Sequence, residues 1–80
     1  DMDKRYLSDM ELGQAATIID VTQESADDSI ARRLRDLGFI KGEEVKLVTY
    51  GPLGRDPLLV QIGFTRFALR VSEASRVEVQ

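Results

Sequence analysis

The sequence predicts a small, mainly β domain. About five short strands should form a strongly bent sheet that closes towards a barrel, with one α-helix between the first two strands and a short helical turn before the last. Three observations carry this prediction. Segments rich in β-branched and aromatic residues recur with alternating polarity, separated by glycine- or proline-bearing turns. One segment, Ser25 to Gly42 (SADDSIARRLRDLGFIKG), has helical spacing instead. Finally, 80 residues cannot supply two separate sheets with a full core between them, so one sheet curled on itself is the economical solution.

Asp1 to Tyr6 is polar and without period, and residues 1–6 are expected to be a flexible tail ahead of a single domain over residues 7–80. Leu7 to Met10 and Leu12-Gly13 read as turns. Ala15 to Val21 (AATIIDV) suits a strand. In the helical segment, Ser25 and Asp28 have capping-box spacing. Ile30, Leu34 and Leu37 then fall on one face beside Ala31, and Gly38 sits where a left-handed residue ends a helix. Asp27 and Asp28 lie at the positive end of the helix dipole, and Arg32, Arg33 and Arg35 towards the negative end. Phe39 is expected in the core.

Glu44 to Tyr50 alternates Val45, Leu47 and Thr49 against Lys46, Val48 and Tyr50, as a strand does. Gly51 to Pro57 contains both prolines and reads as a loop. Leu58 to Ile62 and Thr65 to Val71 flank Gly63 and make a hairpin, with Phe67, Leu69 and Val71 inward and Arg66 and Arg70 outward. Ser72 to Ser75 is a helical turn capped by Ser72, and Val77 and Val79 close the chain as a short strand.

Composition excludes several functions. There is no Cys and no His, which removes disulfides, thiolate metal sites, the usual neutral-pH base and the commonest transition-metal ligand. The net charge is −3, with residues 1–40 at −4 and residues 41–80 at +1, which argues against a nucleic-acid surface. No apolar run is long enough to span a bilayer and no signal peptide is visible, so a soluble, cytoplasmic protein is expected. The chain starts at Asp1 rather than Met, as an excised or processed segment would.

No catalytic constellation stands out, since the serines and carboxylates lack an adjacent base. Arg32, Arg33 and Arg35 have the charge to hold a phosphate, but a solvated helix face explains them as well. Asp27/Asp28 and Glu43/Glu44 are the only candidate hard-cation pairs, and caps and solvent-exposed turns explain them more simply. Gly51-Pro52-Leu53-Gly54 has no phosphate-loop signature. Leu53, a large apolar residue at the tip of a polar loop, is a candidate partner contact, and Phe64 beside the hairpin turn is a second.

Taken together, RRLRDLGFIKGEEV, GPLGRDP and FALRVSEASRVEV, in this order and after the opening LSDMELGQAATI, resemble the ferrous iron transport protein A (FeoA) family over Leu7 to Val79. The family's landmark positions fall on Leu34, Leu37, Gly38, Gly42, Pro52, Leu53, Gly54, Asp56, Pro57, Ala68, Leu69 and Arg70. The resemblance implies an SH3-like β-barrel and a non-enzymatic accessory role in bacterial ferrous iron uptake, with the cytosolic region of the membrane GTPase permease (FeoB) as partner.

Partner contacts are expected at Pro52, Leu53, Gly54, Arg55, Asp56 and Phe64. No tightly bound cofactor is expected, and any contact with Fe(II) or another divalent ion would be weak. Where the family's loop runs Pro-Leu-Gly-Asp-Pro, Arg55 is inserted here and is expected to lengthen the tip and place a cation in it. The alternative implied by the same resemblance is a metal-responsive regulatory domain, like the C-terminal SH3-like domain of iron-dependent repressors. An exposed edge strand in so small a barrel would also permit a homodimer.

Overall fold

A computed structural model describes residues 4–80, except for the side chain of Leu53. Its elements are β1 (Arg5–Tyr6), a single 3-10 turn (Leu7–Asp9), β2 (Ala15–Val21), α1 (Ser29–Leu37), β3 (Glu44–Leu53), β4 (Asp56–Ile62), β5 (Thr65–Leu69), α2 (Val71–Ala74) and β6 (Val77–Val79). The strands form one six-stranded antiparallel sheet in the order β1-β6-β2-β3-β4-β5. The additional strand lies within the expected tail: Arg5 and Tyr6 pair with Val79 and Glu78. Residues 1–3 of that tail lie outside the described residues.

The bend comes from β2, which serves both halves of the sheet. Ala15 to Thr17 pair with β3, whereas Ile18 to Val21 pair with β6, and the register shifts between Ile18 and Asp20. A strand that changes partner at a bulge turns the corner of a small barrel. The enclosed core includes Leu7, Met10, Ile18, Leu34, Phe39, Leu47, Leu58 and Leu69, all essentially inaccessible to water. Phe39 packs against Phe67 with ring centroids 5.4 Å apart in a tilted arrangement, a favourable aromatic geometry.

Local chemistry moves three boundaries. The cap of α1 is Asp28 rather than Ser25: Asp28 Oδ1 accepts from the N–H groups of Ile30 and Ala31. The face that α1 turns to the core is centred on Ala31 and Leu34, with Ile30 partly buried beside them, and Leu37 lies at the surface. Gly38 ends α1 as expected, with φ 112°. In β3 a bulge between Leu47 and Thr49 reverses the alternation, so Thr49 faces water while Tyr50 packs on the core. Thr65 to Val71 stops as a strand at Leu69, because the Glu73 carboxylate accepts the Arg70 N–H at 2.8 Å and starts α2. Ser72 is therefore inside α2, and Val71 is exposed rather than inward.

Candidate functional site

The segment read as a loop over Gly51 to Pro57 is mostly strand. Leu53 pairs with Asp56, which leaves Gly54 and Arg55 alone as the turn. Their φ values are 65° and 71°, the two positive values that a type I′ hairpin needs. This is natural for glycine and costly for arginine. Arg55 is held there by what its side chain reaches. The guanidinium lies over the Tyr50 ring, 4.9 Å from its centroid, and Nη2 donates to the Met10 carbonyl. Its Nε is buried with no partner among the described residues. The expected cation at the tip is thus folded back against the barrel, and the insertion makes a tight turn instead of a longer one. Pro52, Gly54 and Asp56 are exposed. Asp56 Oδ1 accepts the Val71 N–H at 3.2 Å, which fastens the hairpin to α2.

Phe64 occupies the second position of the Gly63–Phe64 turn, closed by the Ile62–Thr65 pair. Its relative exposure is 105%, so the ring has essentially no contact with the described residues. The two hairpins share β4, whose length of seven residues separates their ends by about 20 Å. The expected contact residues therefore form two patches, Pro52 to Asp56 at one end of β4 and Phe64 at the other. A cleft of about 310 Å³ beside the Phe64 end is lined by Ala15, Glu43, Glu44, Lys46, Gln61 and Gly63. Lys46 puts a cation beside Glu43 and Glu44, which disfavours the metal reading of that pair.

The second acidic pair is already engaged. Asp28 Oδ1 accepts the two capping N–H groups, and Oδ2 accepts from Glu24 N–H at 3.0 Å and Arg76 Nε at 2.8 Å. The hydrogen bond from Arg76, followed by that from Glu24 N–H, holds the Asp28 carboxyl well below the usual carboxylate range. No described group of three or more acidic, His or Cys side chains is arranged to hold a metal.

The arginines of α1 are likewise committed. Arg32 pairs with Asp27 at 3.3 Å, Arg33 with Glu73 at 2.5 Å, and Arg35 donates to the Val21 carbonyl at 2.9 Å. Arg35 and Arg33 tie α1 to β2 and α2, and Arg32 pairs at the surface with Asp27 just before the helix, so the three do not form a phosphate grip. The Asp28–Arg76 pair had no signal in the sequence, because its members lie 48 residues apart.

The FeoA domain model matches residues 5–80. The chain belongs to the FeoA family. Among solved structures it is similar to FeoA of Stenotrophomonas maltophilia complexed with zinc, a prokaryotic SH3 domain protein put forward as a ferrous iron transport activating factor. That match has 58% identity and TM-score 0.88, covering 95% of this chain and 89% of the other. The FeoA-like protein of Clostridium acetobutylicum matches at 26% identity and TM-score 0.83, covering 96% of this chain and 85% of the other.

A manganese-dependent transcriptional repressor shares the fold at 16% identity and TM-score 0.80, with 98% of this chain aligned to 36% of the repressor. No curated protein matches in sequence. The SH3-like FeoA fold expected from the motifs is therefore the observed one, and its role is as a ferrous iron transport accessory. No helix among the described residues is long and apolar enough to cross a membrane.

Proposed function

We propose that this FeoA domain is a non-enzymatic, cytoplasmic interaction module that acts on the cytosolic region of the membrane GTPase iron permease (FeoB). It would work by biasing that partner's conformation or assembly. The observation that carries this reading is Phe64. A whole aromatic ring held in water on a two-residue turn has no role inside its own domain, and aromatic side chains are favoured anchors at interfaces. Pro52 to Asp56, at the other end of β4, are a second contact patch. The activating role put forward for the zinc-complexed relative supports a protein partner.

Calorimetric titration of the permease's cytosolic region tests the proposal. The native domain is expected to bind, and Phe64→Ser to weaken binding about tenfold or more. Leu53→Asp tests the other patch. Failure of the native domain to bind overturns the proposal, and equal binding by all three forms removes both ends of β4 from it.

A further inference from the structure

Among the described residues the sheet ends at β5, which pairs only with β4. The closing pair of a two-residue hairpin is hydrogen-bonded, so bonded pairs along β4–β5 fall at Ile62–Thr65, Val60–Phe67 and Leu58–Leu69. Arg66 and Ala68 therefore turn their N–H and C=O groups away from β4, towards an edge that no other described strand covers. The edge stops at Arg70, whose N–H is taken by Glu73. Along it, Phe64, Arg66, Ala68 and Arg70 alternate on the outer face, and all four are exposed.

The cations on this edge differ from most arginines of the domain. The chain carries −3 overall, and five of its other arginines are spent inside the domain. Arg32, Arg33 and Arg76 are paired with carboxylates, and Arg35 and Arg55 bond to carbonyls. Among the described residues the Arg66 side chain hydrogen-bonds only the neutral Gln61, through Nε at 3.0 Å. The Arg70 guanidinium has no partner among the described residues. An open strand edge thus carries two arginines four residues apart, neither in an ion pair among the described residues, with a small Ala68 between them and an exposed aromatic ring at its start.

We infer that β5 accepts an extended acidic segment of a partner protein as an added antiparallel strand. Main-chain bonds would form to Arg66 and Ala68, and acidic side chains would lie opposite Arg66 and Arg70. The partner sequence then reads acidic-x-apolar-x-acidic, because strand neighbours alternate faces. A second copy of this chain fits less well: antiparallel pairing centred on Phe67 brings two Arg66 side chains within diagonal reach of each other. The inference rests on reading the chain as an interaction module, but not on which protein is the partner.

The test is amide NMR of the whole domain with millimolar blocked peptide Glu-Thr-Val-Thr-Glu, and with Lys-Thr-Val-Thr-Lys as the charge-reversed probe. The Glu peptide is expected to shift and protect the Arg66 and Ala68 amides from exchange. Arg66→Glu should weaken it about fivefold or more, and the double variant Arg66→Glu/Arg70→Glu should bind the Lys peptide instead. An unchanged β6 spectrum shows that each variant is folded.

Equal binding of both peptides by the native domain overturns the inference, as does absence of protection at Arg66 and Ala68. Protection that appears without peptide and rises with protein concentration also overturns it, in favour of a second copy on the edge. Peptide binding alongside failure of the permease titration would sink the proposed function and leave this inference standing.

Discussion

Arg76 Nε donates to Asp28 Oδ2 at 2.8 Å and so ties the start of β6 to the cap of α1. Both side chains are nearly closed to water, at 11% and 5% relative exposure, and the remaining nitrogens of Arg76 reach the Ser72 carbonyl and Glu24 Oε1. One guanidinium thus joins the segment before α1, the cap of α1 and the carbonyl of α2.

The Asp28 carboxyl titrates below its ordinary value of 3.8 because Arg76 and the Glu24 N–H bond its charged form. A depressed folded pKa contributes stability that is complete above the unfolded value and is lost as pH falls through and below it. Asp28→Asn should lower the melting temperature at pH 7 by about 5 °C or more, and the gap from the native domain should shrink steadily below pH 4. Thermal melts of both forms between pH 7 and pH 2.5 check this, and a gap that stays constant would remove the linkage.

Gly51 has no room for a side chain. A Cβ there would meet the Asp56 carbonyl oxygen at 2.6 Å and Pro57 Cδ at 2.9 Å, both held in the paired strand β4. Gly51→Ala is therefore expected to destabilise the domain by about 1–3 kcal/mol in urea unfolding. No such clash exists at Gly54, where only its φ of 65° opposes alanine, so Gly54→Ala should cost about 1–2 kcal/mol.

Arg55 combines a left-handed backbone with two side-chain attachments, and two substitutions separate them. Arg55→Ala removes the bond to Met10 and the stacking on Tyr50 but keeps the strained backbone; Arg55→Gly removes both attachments and relaxes the turn. The glycine variant should be the more stable of the two by about 1 kcal/mol, the reverse of the order in a helix. Chemical unfolding of the pair gives the difference directly.

Phe64→Ser should leave stability within about 0.5 kcal/mol of the native value, because the ring is wholly exposed. A large loss would mean the ring packs on its own domain in solution, which would take away the reason for assigning it to a partner. Denaturant curves run beside the permease titration keep the two effects apart.

The strand segments, the Gly38 stop and the burial of Phe39 were legible because each depends on neighbours within a few residues: side-chain period, a glycine at the end of a helix, an apolar residue after it. The reversal of faces at Thr49 was not, because a bulge is a property of two strands and leaves the sequence of one unchanged. The two proposed contact patches were half legible. Phe64 and the Pro52 to Asp56 segment stood out as residues, but their separation depends on both hairpins sharing β4.

By itself, then, the sequence determined the class of this domain, its FeoA membership and the lack of His and Cys chemistry, since these follow from composition, period and motif order. Tertiary structure alone decided what each charge does. It gave Asp28 to a cap and to Arg76, folded Arg55 back onto Tyr50, and left Arg66 and Arg70 on an open edge. The physical reason is range: a helix period acts over one turn, whereas an ion pair forms between whichever groups the folded chain brings within a few ångströms, however far apart they stand in sequence.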